Sequence, residues 1–485
     1  MAKEQNIASR ALTGAQNTIG VISHVVKQNL CTGCGTCAAI CPIGSLAMRL
    51  NECGEFVPVL CDECNDCDLC ISVCPQLSHN PDNVDVQHII STTSSDVLGY
   101  SHELKTWAGY AVDSSRRLHS ASGGMLTLVL QHLLDSQQID AAIVVGPRNS
   151  KTGPLFQAKL VRTPEELDAC AGSKYYPVEL SKVLHELKST KERVAIVGLP
   201  CHVSAARLLI GKSKQLREQI RYIFGLVCGH GVSTKFTELL AAAVRVPLDK
   251  VDTVSYRGKE GRLKASDFAF SAFQNDRIIG QPIGSENSPY GVAWCRRLFV
   301  PHACDFCTDC FAENADATFM DAWLPEYISD PRGTSLMVSR ESRVTTILSE
   351  LQKENLAKLW EVTRDDIIKS QAGVIRYKRE LLPDRIFAAI SRGKPVPGHL
   401  KSCAAKGPRD ERRENARYER YRGIASFVWR LHLPPWIRLR IIMILTGPGF
   451  IHYTRSLLIR ILGRRGKLFI RSILEHIKFF KGQKC

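Results

Sequence analysis

The sequence predicts three parts in series: an α+β insert that houses two metal clusters, an α/β domain with a largely parallel sheet, and a basic helical C-terminal extension. Three observations carry this prediction. Ten of the 19 cysteines in the 485-residue chain lie between Cys31 and Cys74. From Trp107 onward, helix-like and strand-like segments alternate, the pattern of an α/β domain. From Lys401 to the end the chain carries 20 Lys/Arg against 5 Asp/Glu, whereas the first 400 residues carry 44 against 43. The net charge of +16 therefore belongs almost wholly to the extension, and it speaks of partners rather than of fold.

The insert is read from spacing. Cys31-x-x-Cys34-x-x-Cys37-x-x-x-Cys41-Pro42 is repeated as Cys64-x-x-Cys67-x-x-Cys70-x-x-x-Cys74-Pro75. This is the spacing of bacterial two-cluster ferredoxins, in which three close thiolates hold one 4Fe–4S cluster and the fourth Cys crosses to the other. Cys31, Cys34 and Cys37 are thus expected to pair with Cys74, and Cys64, Cys67 and Cys70 with Cys41. Each proline ends the short helix after its loop. Zinc also binds Cys-x-x-Cys pairs, but needs only four thiolates at looser spacings. Cys61-x-x-Cys64-x-x-Cys67 offers a second register, against which the Cys74-Pro75 step argues.

The remaining elements follow in order. Residues 1–21 read as a flexible leader, 22–79 as the ferredoxin-type domain and 80–106 as a polar linker. Ser122-Gly-Gly-Met125 opens a helix to about Ser136, and Ala141–Gly146 is a buried strand. A helix over Ser181–Thr190, a strand over Arg193–Gly198, a helix over His202–Ile210 and a strand over Arg221–Val227 follow. The expected division of the α/β part is 107–190 and 191–385, with the basic tail over 386–485. Cys201 lies just past one strand and Cys228 at the end of the next, where open α/β sheets bind ligands. With Cys304-Asp-Phe-Cys307 they supply four thiols for a third cubane. The alternative is that Cys201 and Cys228 are small buried hydrophobes.

In the extension, a helical wheel over 455–481 puts Leu458, Leu462, Phe469, Ile473, Ile477 and Phe480 on one side. Arg460, Arg464, Lys467, Arg471 and Lys478 fall on the other. Such a helix lies on an anionic membrane or packs on the protein's own body or an acidic partner. Nucleic acid is a weaker reading, since no recognised binding module accompanies the charge. No apolar run reaches the ~18–20 residues that span a bilayer. The first 23 residues lack the apolar core of a signal peptide, so a cytoplasmic location is expected, with peripheral membrane contact through the tail.

Seven short motifs, in order, resemble the family of coenzyme F420 hydrogenase/dehydrogenase beta subunits over about Trp107 to Lys378. They are Ser120-Ala-Ser-Gly-Gly124, Gly172-Ser-Lys-Tyr175, Gly198-Leu-Pro-Cys201, Cys228-Gly-His-Gly231, Ser255-Tyr-Arg-Gly258, Cys304-x-x-Cys307-x-Asp309 and Ala315-Asp316…Asp321-x-Trp323. The resemblance implies FAD, a third 4Fe–4S cluster on Cys201, Cys228, Cys304 and Cys307, and electron exchange with coenzyme F420 or another low-potential donor. It suggests that Ser122, Gly123 and Gly124 hold flavin phosphate at a helix N-terminus, with Lys174 and Tyr175 near the flavin. It also places Tyr256 and Arg257 near an acidic substrate tail. The implied function is an oxidoreductase that relays electrons between a two-electron donor and one-electron carriers, with a redox partner protein or subunit. The alternatives are a reductase of an organic substrate fed by ferredoxin, and a non-catalytic electron-transfer or membrane-surface accessory subunit, as in envelope-polysaccharide assembly. Cys53, Cys61, Cys170, Cys295, Cys310, Cys403 and Cys485 have no assigned role, although Cys310 is near enough in sequence to replace a ligand.

Overall fold

The computed structural model describes residues 20–77, 91, 97–99 and 103–446. Residues 1–19 of the leader, most of the 80–106 linker, the 455–481 wheel and Cys485 lie outside them.

Two short strands, β1 (Leu46–Leu50) and β2 (Phe56–Leu60), form the antiparallel hairpin of the insert. Short helices over Thr36–Ile40 and Leu69–Ser72 follow its two cysteine loops. The insert docks on the α/β domain at two close approaches. Gly35 sits at φ +84°, and a Cβ there would fall 2.6–2.9 Å from Glu179, Leu180 and Ser181. Beside it the Leu180 amide donates to the Cys34 carbonyl at 2.9 Å. On the hairpin turn, Gly54 leaves no room for a side chain against Thr234, whose amide donates to the Gly54 carbonyl at 2.9 Å.

The central sheet has eight strands: β3 (Lys105–Ala111), β4 (Ala141–Pro147), β5 (Phe156–Val161), β6 (Val194–Gly198), β7 (Ile220–Leu226), β11 (Ala317–Asp321), β12 (Ser335–Ser339) and β13 (Ala357–Glu361). Their order is β13-β3-β12-β11-β7-β6-β4-β5. The middle four, β11, β7, β6 and β4, run parallel, and β5, β12 and β13 run opposite to their neighbours. The sheet is therefore mixed: a parallel centre of crossover connections with antiparallel strands added at the flanks. Helices over Met125–Asp135 and Ser342–Lys353 bury one face with Leu128, Leu133, Ile347 and Leu351. Helices over Ser181–Lys188 and Pro200–Lys212 bury the other with Leu184, Leu187, Val203 and Leu209.

A second, three-stranded antiparallel sheet, β8 (Thr253–Gly258), β9 (Ala269–Gln274) and β10 (Arg277–Gly284), has a core of its own. That core is closed by helices over Thr234–Ala243, Arg409–Trp429 and Pro435–Thr446, with Ile424, Val428, Trp429, Ile442 and Leu445 buried in it. The expected tail boundary at 386 thus falls inside the Leu382–Ile390 helix, and the extension to 446 packs on the body. Trp429 fixes it there, its indole N–H donating to Glu238 at 2.9 Å. Among the described residues no helix is long and apolar enough to cross a membrane.

Candidate redox site

The cysteines gather in three sets. In the first, burial and then the neighbouring Cys34 and Cys74 push the Cys31 thiol up to about 12. Burial, Cys34, Cys31 and Cys74 raise Cys37 well above its ordinary value. Cys34, Cys37 and Cys74 are buried. Each of these groups meets the other thiols of its set, so Cys31, Cys34, Cys37 and Cys74 stand together. The second set lines a hollow against Gly20: Cys41, Cys64, Cys67 and Cys70. Burial, with Cys64 and Cys67, raises Cys70. Cys67 is exposed, as are the acidic side chains Asp62, Glu63, Asp66 and Asp68 around it. Cys61 is exposed and outside the hollow, its Sγ turned to the Val59 carbonyl.

The third set is discontinuous in sequence. Cys201 lies in the first turn of the Pro200–Lys212 helix, just past the carboxyl end of β6. Cys228 follows β7, and Cys304 sits in the tight turn His302–Phe306. Burial and then Cys228, Cys307 and Cys304 push Cys201 well up, and Cys34 of the first set adds to the shift. Burial, Cys228 and Cys307 push Cys304 up to about 12. The Gly231 amide donates to the Cys304 Sγ at 3.4 Å, and the Lys378 ammonium to the Cys307 Sγ at 3.1 Å. Cys310 is buried beside this set, its carbonyl accepting the Cys228 amide at 3.1 Å and its Sγ turned to the Thr308 carbonyl.

All three sets offer four thiols, buried or half-buried apart from the exposed Cys67, the donor set of a 4Fe–4S cluster.

The expected flavin residues are divided. The Ser122 hydroxyl donates to the Thr334 carbonyl at 2.6 Å, and the Gly123 amide to the Ser335 hydroxyl at 3.1 Å. A Cβ on Gly123 would stand 2.6 Å from the Gly109 carbonyl oxygen, so this glycine lets the loop pack on the sheet. Gly124, at φ +80°, is the N-cap of the Met125–Asp135 helix. Lys174 turns back on its own loop, donating to the carbonyls of Cys170, Ala171 and Gly172. Burial pushes its amine down to about 8, against the charge of the neighbouring Cys170 thiol, which raises it. Tyr175 is packed between Tyr256 and Trp294, with ring centroids 5.5 and 4.4 Å away.

A second hollow opens beside Ser122, lined by Arg257, Lys259, Asp321, Trp323 and Thr334. Arg257 pairs with Asp321 at 2.7 Å, and its buried Nε has no hydrogen-bond partner. The Ser120 hydroxyl, before the Gly123-Gly124 turn, is likewise buried without one. The Arg257 Nε, on the lining of this hollow, is thus an orphaned donor that suits an anionic or carbonyl oxygen. Lys259 donates to the carbonyls of Arg117, Ser122 and Arg332 at 2.7–2.9 Å, and burial pushes its amine down to about 7. From this hollow Tyr175, Trp294 and His230 lead to the third thiol set, with Trp294 and His230 4.4 Å apart. The sequence gives no role to Lys259, Trp294 or Lys378, each far in sequence from the groups it faces, and His230 appears within a motif without a role. Asp321 and Trp323 appeared within a motif, without a role.

Two family models describe the beta subunit of coenzyme F420 hydrogenase/dehydrogenase: that of its N-terminal part matches residues 106–185, and that of its C-terminal part matches 191–365. A 4Fe–4S binding domain matches 24–46. A subunit of the F(420)H(2) dehydrogenase from Methanosarcina mazei is 27% identical over 221 residues, 43% of this chain and 55% of that protein. The coenzyme F420-dependent sulfite reductase of Methanocaldococcus jannaschii is 23% identical over 377 residues, 74% of this chain and 51% of that protein. The chain thus spans about half the length of these two relatives. The coenzyme F420 hydrogenase beta subunit of Methanococcus voltae is 25% identical over 303 residues, 59% of this chain and 95% of that protein. A chain of the F420-reducing [NiFe] hydrogenase complex from Methanosarcina barkeri superposes with a TM-score of 0.45 at 17% identity, covering 59% of this chain and 92% of that one.

Proposed function

The chain belongs to the family of coenzyme F420 hydrogenase/dehydrogenase beta subunits, and on that premise we propose that it is an oxidoreductase that relays electrons between reduced coenzyme F420, or a similar low-potential two-electron donor, and one-electron carriers. The reading assigns 4Fe–4S clusters to the three thiol sets and FAD to the hollow beside Ser122. One observation carries it: the thiol sets adjoin, because the Thr36–Ile40 helix that holds Cys37 packs on the Pro200–Lys212 helix that holds Cys201, with Ala39 and Ile40 sharing a core with Val203 and Ala206. The aromatic series His230, Trp294 and Tyr175 continues from there to the hollow.

Bound in the hollow, FAD supplies the exchange between a paired hydride and single electrons. The protein's own groups orient it and exclude water. Arg257 offers its unpartnered Nε to an anionic or carbonyl oxygen, and Asp321 fixes the guanidinium plane. Tyr175 and Trp294 close the side that faces the third thiol set. At the other end, exposed Cys67 with its acidic rim suits the basic face of a redox partner protein.

The test is an anaerobic spectral titration of the cluster-loaded chain with reduced F420. Bleaching of a flavin band, followed by loss of the broad iron–sulfur absorbance, is expected. A bound flavin that stays oxidised would reject F420 as the donor.

A further inference from the structure

Resting on the assignment of a cluster to the third thiol set, we propose that Lys378 is a fixed buried cation that raises the reduction potential of that cluster. Lys378 is 1% exposed. Its ammonium donates to the Cys307 Sγ at 3.1 Å and to the Asp309 carbonyl at 2.6 Å. Among the described residues this is the thiol set in which a lysine donates to a sulfur.

The surrounding charges leave the ammonium as the group aimed at the sulfurs. Arg379, next in the chain, is bound to Glu313 at 2.5 Å. The Asp309 carboxylate accepts the Glu313 amide at 3.2 Å. Asp305 is held by Arg422 and by the Tyr377 hydroxyl. Near Cys228 the Asp309 carboxylate, itself beside Lys378, sets a negative charge, and Arg297, stacked 3.3 Å over the Tyr377 ring, adds a second positive one.

The ferredoxin-type sets have different surroundings: Lys188, beside Cys41, donates to the Ala39 carbonyl at 2.5 Å and not to a sulfur. The sequence from Asn51 to Leu104 contains no Lys or Arg, and the second set is rimmed by Asp62, Glu63, Asp66 and Asp68. Reduction adds one electron to a cluster and its thiolates and makes the assembly more negative by one charge. A cation in hydrogen-bond contact, shielded from water, favours the reduced form, as does a hydrogen bond to sulfur. An electron arriving from the hollow then rests first on the cluster beside Lys378, and the acidic outer set holds it least firmly before release.

The experiment is an EPR-monitored redox titration of the full chain, anaerobically loaded with iron and sulfide, as wild type, Lys378→Arg, Lys378→Gln and Lys378→Met. Expected are about twelve irons per chain and three reducible centres. In Lys378→Met and Lys378→Gln one midpoint falls and the other two stay, and Lys378→Arg restores most of the shift. Three unchanged midpoints with full iron in the neutral variants would overturn the role of Lys378. So would loss of about four irons in both neutral variants, because Lys378 would then support cluster assembly. A wild type with only about eight irons, unaffected by Cys304→Ser, would instead overturn the third cluster itself.

Discussion

Arg257 and Asp321 separate what holds the hollow from what the hollow binds. Arg257 is 5% exposed in its side chain and lies against the rings of Phe268 and Trp323, so its charge has little access to water. Replacing Asp321 by Asn leaves that charge buried with a neutral partner. The cost is about 3 kcal/mol, the lower end for a broken buried pair because Asp321 itself keeps some solvent contact. Replacing both, as Arg257→Met with Asp321→Leu, removes the stranded charge, and much of the stability returns. Flavin retention is expected to fall in both variants, because neither presents a correctly held guanidinium. Thermal melting and the flavin-to-protein absorbance ratio measure the two effects separately. A double variant that keeps its flavin would place the cofactor elsewhere. The motif Ser255-Tyr-Arg-Gly258 made Arg257 visible in the sequence. Lys378 was not visible, since 71 residues separate it from Cys307 and a solitary lysine has no spacing to read.

At the scale of elements, contiguous patterns were legible and packing partners were not. The two cysteine repeats bring together the groups expected of them, because a loop a few residues long decides where its own thiols point. The strands over 141–146, 193–198 and 221–227 were legible from apolar runs between helical segments. The sheet of β8, β9 and β10 was missed: its last strand, Arg277-Ile-Ile-Gly-Gln-Pro-Ile-Gly284, is interrupted by Gly and Pro and exposed along much of its length. Helices over Arg409–Trp429 and Pro435–Thr446 were read as tail, because an amphipathic pattern shows that a face is covered without showing what covers it. In the structure the cover is the Thr234–Ala243 helix and the second sheet. Trp429→Ala tests this. The side chain is 6% exposed and packs on Phe299 at 5.4 Å between centroids. Its removal is expected to destabilise the chain by about 3–5 kcal/mol, read as a lower urea midpoint. An unchanged midpoint would mean that the extension adds nothing to the body.

Over the whole molecule, the three thiol sets stand in series. The Leu69–Ser72 helix carries Cys70 of the second set and leads to Cys74 of the first, and the Thr36–Ile40 helix, which holds Cys37 of the first, packs on the Pro200–Lys212 helix that holds Cys201 of the third. The first set is therefore the middle member. It is also the most enclosed, lying in the core that joins the insert to the Leu382–Ile390 helix. On the proposed relay, the middle member carries every electron that passes between hollow and surface, whichever way the flow runs. Cys37→Ser removes one thiolate from it and leaves the ligands of the outer two sets intact. With reduced F420 as donor, the flavin and the third cluster are expected to be reduced at the wild-type rate, while the outer cluster stays oxidised in a stopped-flow trace. Cys201→Ser should instead stop reduction of both ferredoxin-type clusters after the flavin has bleached. Reduction of the outer cluster at an undiminished rate in Cys37→Ser would show that electrons bypass the middle set. The hollow would then have to communicate with the surface by a route that does not run through Cys34 and Cys74.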